Sequence, residues 1–114
     1  MKHYNIRIDE KEYKIRIRTR DHETLDNLLG GNFLQVVSDE KQMMDAMRIA
    51  HVMLYVGLRW DPENGQHTLD ECGDLIDCLV DQGYSTEDFA KMVIEIGKVS
   101  GFFPQTLDVD NLAK

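Results

Sequence analysis

The stretch YNIRIDEKEYKIRIR, residues 4–18, decides the fold class. Tyr4, Ile6 and Ile8 alternate with polar residues, and after the charged turn DEKE the alternation resumes at Tyr13, Ile15 and Ile17. A period of two with β-branched and aromatic residues on one side is a strand pattern, so the stretch predicts a β-hairpin with one apolar face. Its other face gathers Arg7, Lys14, Arg16 and Arg18. Like charges directly across an antiparallel pair repel, so this ladder needs acidic partners or solvent.

Working outward, the rest reads as helix, and the class expected is α+β: a hairpin followed by a small bundle of three to four helices. DHETLDNLLGG offers Asp21 as a cap, Leu25, Leu28 and Leu29 as a short apolar stripe, and Gly30 with Gly31 as a stop, predicting a helix over about 22–29. Phe33, Leu34, Val36 and Val37 fit either a strand or a helix start. A second helix is expected over about 39–60, so apolar from Met43 to Leu58 that it should be the central one. Its methionines read either as core filler or as an adaptable protein-binding surface. Pro62 and Gly65 break it. The loop that follows superficially resembles a calcium loop, but counting from Asp61 the required glycine and acid at positions six and twelve are Gln66 and Cys72.

TLDECGDLIDCLVDQG, residues 68–83, predicts a third helix over about 68–82, opened by a Thr68/Glu71 capping box and closed at Gly83. Leu69, Cys72, Leu75, Ile76, Leu79 and Val80 form its buried stripe. Asp70, Asp74, Asp77 and Asp81 fall within roughly 60° of one another on the opposite side. Each like-charged pair at this spacing costs a few tenths of a kcal/mol, so helix stability alone does not favour the column. It is either a solvated face or a face that meets a partner. Cys72 and Cys78 diverge on one helix, which forbids a local disulfide and predicts two reduced thiols. A last helix is expected over about 86–100, capped by Ser85 and Asp88, with residues 104–114 as a loose tail and 1–103 as one domain.

The composition, 42% apolar and 30% charged over 114 residues, is that of one globular domain. The first twenty residues hold seven Lys/Arg against three Asp/Glu, net +4; the other 94 hold six against eighteen, net -12, and together they make the chain's -8. A net charge of -8 argues against binding nucleic acid or an anionic membrane. No run is apolar enough to span a bilayer or to form a signal-peptide core, which predicts a cytoplasmic protein. Enzyme chemistry finds little footing. His3, His22, His51 and His67 are scattered, no phosphate loop or nucleophile elbow occurs, and His67 with Cys72 lacks two further zinc ligands. His51 in its apolar helix reads as a satisfied core side chain. No catalytic residue, cofactor or metal is expected.

The order of YKIRIRTR, LDNLLGGN, an apolar helix running into GLRWDPENGQHTLDECGDLID, and a helix after DQGYSTEDF resembles the tail assembly chaperones of long-tailed bacteriophages and prophages over about residues 4–103. The resemblance implies a non-enzymatic homo-oligomer in the bacterial host cytoplasm that coats the tape measure protein, helps recruit tail tube protein subunits and is absent from the finished virion. On that reading, self-association would join Arg7, Lys14, Arg16 and Arg18 of one copy to Asp70, Asp74, Asp77 and Asp81 of the next. The tape measure contact would lie near Met43, Met47, Phe102 and Phe103. The rival readings are an acidic regulatory module of antitoxin or adaptor type, and a small enzyme working through Asp74 or His67.

Overall fold

Strands β1 (Tyr4–Ile8) and β2 (Lys11–Ile15) form the expected antiparallel hairpin in a computed structural model that describes residues 2–104. Asp9 makes the turn at φ 57, a left-handed conformation that aspartate tolerates better than most side chains. Tyr4 pairs with Ile15, Ile6 with Tyr13 and Ile8 with Lys11, so Ile6, Ile8, Tyr13 and Ile15 bury one face. The pairing ends earlier than the alternation suggests. Past Ile15 the backbone bonds helices instead: Arg16 N–H donates to Gly57 O at 2.9 Å and Ile17 N–H to Ser100 Oγ at 2.9 Å.

Six α-helices follow among the described residues: α1 (His22–Leu29), α2 (Phe33–Ser38), α3 (Glu40–Met43), α4 (Ala46–Leu58), α5 (Leu69–Asp81) and α6 (Thr86–Val99). Four are substantial, as expected, and α2 and α3 are short additions. Helix α1 ends at Gly30 (φ 77), where Gly30 N–H reaches Asn27 O and Gly31 N–H reaches Asp26 O, the paired bonds of a Schellman stop. Asp21 does not cap it with its side chain. The carboxylate is buried and faces two guanidinium groups instead, Arg18 Nε at 2.8 Å and Arg59 Nε at 3.8 Å.

The ambiguous segment at Phe33 is helical because Asn32 Oδ1 accepts from Leu34 and Gln35 N–H. The single helix expected over 39–60 is divided at Met44 and Asp45. Asp45 takes a non-helical φ −103, ψ 47 and directs its carboxylate to Arg48 Nε at 3.2 Å, while Met44 is 78% exposed and gains nothing from continuing the helix. Both later capping boxes form, Thr68 with Glu71 and Ser85 with Asp88.

Helix α4 occupies the centre, packed against α1, α5, α6 and β2, with Ile49, Ala50, Met53, Leu54 and Val56 fully buried. Burying such aliphatic side chains contributes about 1.5–3 kcal/mol each. Near the end of α4, Gly57 lets β2 pass in close contact, because a Cβ there would lie 2.3 Å from Ile15 Cγ2. The tail expected over 104–114 falls, apart from Pro104, outside the described residues. No helix among the described residues is long and apolar enough to cross a membrane.

Candidate functional site: an acidic groove between two helices

Two residues set the approach of α4 to α5. The His51 ring lies over Gly73, where a Cβ would sit 3.2 Å from its Cε1, and His51 Nε2 is 2.7 Å from Leu69 O. A carbonyl only accepts, so the ring proton belongs on Nε2, and His51 is the satisfied packing residue its apolar helix suggests. Beside this crossing runs an open groove of about 540 Å³ lined by Asp45, Met47, Arg48, His51, Asp70, Asp74, Ile76 and Asp77. Arg48 is turned to Asp45. No ion pair among the described residues uses Asp70, Asp74, Asp77 or Asp81, and all four are exposed.

The aspartate column is therefore divided. Asp70, Asp74 and Asp77 face the groove, while Asp81 lies one turn beyond it. The cationic ladder is divided too. Arg7 and Lys14 stay exposed, opposite Glu12 and Asn5, so no two cations are directly across from each other. Arg16 Nη1 is taken up by Lys2 O at 2.9 Å and Val99 O at 3.0 Å, and Arg18 by Asp21. Half of the proposed basic counterpart is thus occupied within its own chain. The expected apolar patch is also two places. Met47, 38% exposed, belongs to the groove, and Met43 is half-buried against the core. Phe102 stacks on His22 at 4.5 Å and tilts on Phe33 at 4.4 Å, while Phe103 fills the space that Gly97 leaves open.

The chain matches no protein-family model, no curated protein and no solved structure.

The groove offers charge and apolar contact. No group of three or more His, Cys, Asp or Glu among the described residues could hold a metal ion. In the loop after α4 both Asp61 oxygens are engaged, Oδ1 by Glu63 N–H at 3.0 Å and Oδ2 by Asn64 Nδ2 at 3.1 Å. Both cysteines are free. Burial, with Glu71 adding to it, pushes the Cys72 thiol up to about 12; the thiol of Cys78 is raised first by its hydrogen bond to Asp9. Thiolate is the reactive form, so both should react slowly at neutral pH with a soluble disulfide reagent. Cys78 should titrate first, and Cys72 only on unfolding. The burial of neutral Cys72 stabilises the fold below the ordinary thiol range, and that contribution should be lost as pH rises toward 12. Stopped-flow thiol counting between pH 7 and 10, with and without urea, checks this; equal rates for the two thiols would contradict it.

Sequence reading missed the Asp45–Arg48 pair, the seat of His51 on Gly73 and the burial of Asp21. A helix break without proline or glycine, and contacts between residues eighteen or more apart, leave no local pattern to read.

Proposed function

We propose that this chain is a non-enzymatic tail assembly chaperone of the long-tailed phage and prophage type, which self-associates, coats the tape measure protein and helps recruit tail tube subunits. The observation that carries the reading is the groove, which sets three carboxylates with no ion pair among the described residues beside the apolar side chains of Met47 and Ile76. This is a seat for a helix bearing an apolar stripe flanked by Lys or Arg. Tape measure proteins are long helical chains whose exposed apolar stripes aggregate before the tube encloses them. Many copies of a small weak binder shield such a chain by multivalency, and each is still displaced singly. The groove is therefore assigned to the tape measure protein, with Asp70, Asp74, Asp77 and Met47 as its contacts.

The test is to look for a gene for a long helical protein beside this one and, where it is present, to co-express the two. Asp74→Asn combined with Asp77→Asn should leave the fold intact, since it relieves repulsion and buries nothing new. It should nevertheless lose most of the soluble tape measure protein, whereas Asp81→Asn, off the groove, should keep it. If the double variant protects as well as the unaltered chain, the column is a solvated face and the assignment is wrong. A stable one-to-one complex with a basic toxin or nuclease would instead favour the regulatory module.

A further inference from the structure

The outer edge of β1 carries an unusual side-chain contact. Gln82, just past α5, presents its amide to this edge as a strand would present a peptide group: Nε2 donates to Arg7 O at 3.2 Å, and Oε1 accepts from Asp9 N–H. These bonds fix which way the strand faces. In an antiparallel pair the N–H and C=O of one residue point the same way and alternate along the strand. Arg7 O points away from β2, so Arg7 N–H and both backbone groups of Asn5 point away as well. Gln82 covers only the end of this row. An open groove of about 360 Å³, lined in part by Tyr4, Gln82, Tyr84, Lys91, Met92 and Glu95, begins at the Tyr4 end of the strand.

We propose that this edge pairs with β1 of a second copy, antiparallel about a two-fold axis at Ile6, joining two hairpins into one four-stranded sheet. The charge order of the strand selects both the occupant and the register. Residues 2–10 read KHYNIRIDE, with Lys2 and His3 at one end and Asp9 and Glu10 at the other. Centred on Ile6, an antiparallel second copy sets Tyr4 opposite Ile8 and Asn5 opposite Arg7, and brings Lys2 of each copy toward the Asp9–Glu10 turn of the other. Opposite charges across a strand pair stabilise it. A shift that centres the axis on Arg7 sets two arginines face to face, and one that centres it on Asn5 sets His3 against Arg7. Of these three registers, only the one at Ile6 brings Lys2 toward the acidic turn at both ends. In it, Asn5 N–H donates to Arg7 O of the second copy and Arg7 N–H to Asn5 O, and the symmetry doubles both bonds. Gln82 competes for Arg7 O, so it acts as a removable cover on the edge. The inference rests on the self-associating part of the proposed function alone and needs no tape measure protein.

Sedimentation equilibrium of the full chain tests it. The unaltered protein should show a reversible monomer–dimer equilibrium. Gln82→Ala, which uncovers the edge, should tighten it several-fold. Asn5→Pro removes an N–H that the hairpin itself does not use, a place where an edge strand accepts proline, and should weaken it tenfold or more. Hydrogen exchange supplies a readout that needs no variant: the amides of Asn5 and Arg7 should gain protection as protein concentration rises, while those of Ile6 and Ile8, inside the hairpin, should not change. A monomer at every concentration in both the unaltered chain and Gln82→Ala overturns the proposal. So does a dimer that forms without protecting Asn5 and Arg7, because its interface lies elsewhere. Loss of the groove's tape measure binding with this dimer intact would sink the proposed function and leave the edge pairing standing.

Discussion

Phe33→Ala is expected to lower the unfolding free energy by about 3–5 kcal/mol, the usual cost of truncating a buried phenylalanine. Phe33 is 1% exposed, and its ring centroid is 4.4 Å from that of Phe102 and 5.9 Å from that of Phe103. Its truncation removes the floor on which Phe102 and Phe103 rest, so the site cannot collapse cheaply. Against the roughly 5–15 kcal/mol that hold a domain of ordinary stability together, this is a large fraction. Urea denaturation followed by circular dichroism measures it. A midpoint shift equivalent to less than 1 kcal/mol would show that the aromatic cluster is not packed as described.

The second large effect is at Gly57. Gly57→Val should destabilise by about 1–3 kcal/mol or more, the cost of overpacking a closed core. A Cβ at this position would lie 2.3 Å from Ile15 Cγ2, and Ile15 is itself completely buried, so it has nowhere to move. The alanine variant is the sharper test, because the two contributions oppose each other. Glycine inside a helix costs about 1 kcal/mol relative to alanine, so at a site with open space Gly→Ala would stabilise. Here the clash should win and Gly57→Ala should lower the melting temperature. A rise would mean that β2 does not pass so close to α4.

Both variants bear on what could be read in advance. The hairpin, the central apolar helix and the two capped helices were legible because each is written in local periodicity: Ile6 and Ile8 at spacing two, Leu75 and Leu79 at spacing four, and Thr68 three residues before Glu71. The break at Asp45 was not, because it follows from what the helix fails to bury rather than from a breaking residue. Asp21 looked like a cap from its place before α1. It is buried between Arg18 and Arg59 instead, and only the folded chain brings Arg59 near. The candidate site was half legible. Periodicity aligned the four aspartates, but the depth of the groove, the inclusion of Met47 and the exclusion of Asp81 depend on how α5 crosses α4. The cationic ladder, expected to need acidic partners or solvent, finds both at Arg18 on Asp21 and at exposed Arg7 and Lys14, while Arg16 goes to backbone carbonyls that no local pattern announces.

The position of Arg16 also bears on how the chain is made. Its guanidinium ties Lys2 O to Val99 O, and next to it Ile17 N–H is held by Ser100 Oγ, 83 residues away in sequence. On the ribosome the hairpin emerges before the groups that lock it down, which follow it by 83 residues. Until residue 100 has cleared the exit tunnel, Ile6, Ile8, Ile15 and Ile17 have no complete surface to cover them. Closing so distant a contact is slow compared with forming a helix. The nascent protein therefore passes through an interval in which its own apolar strands are exposed, and the arrival of Val99 and Ser100 ends that interval.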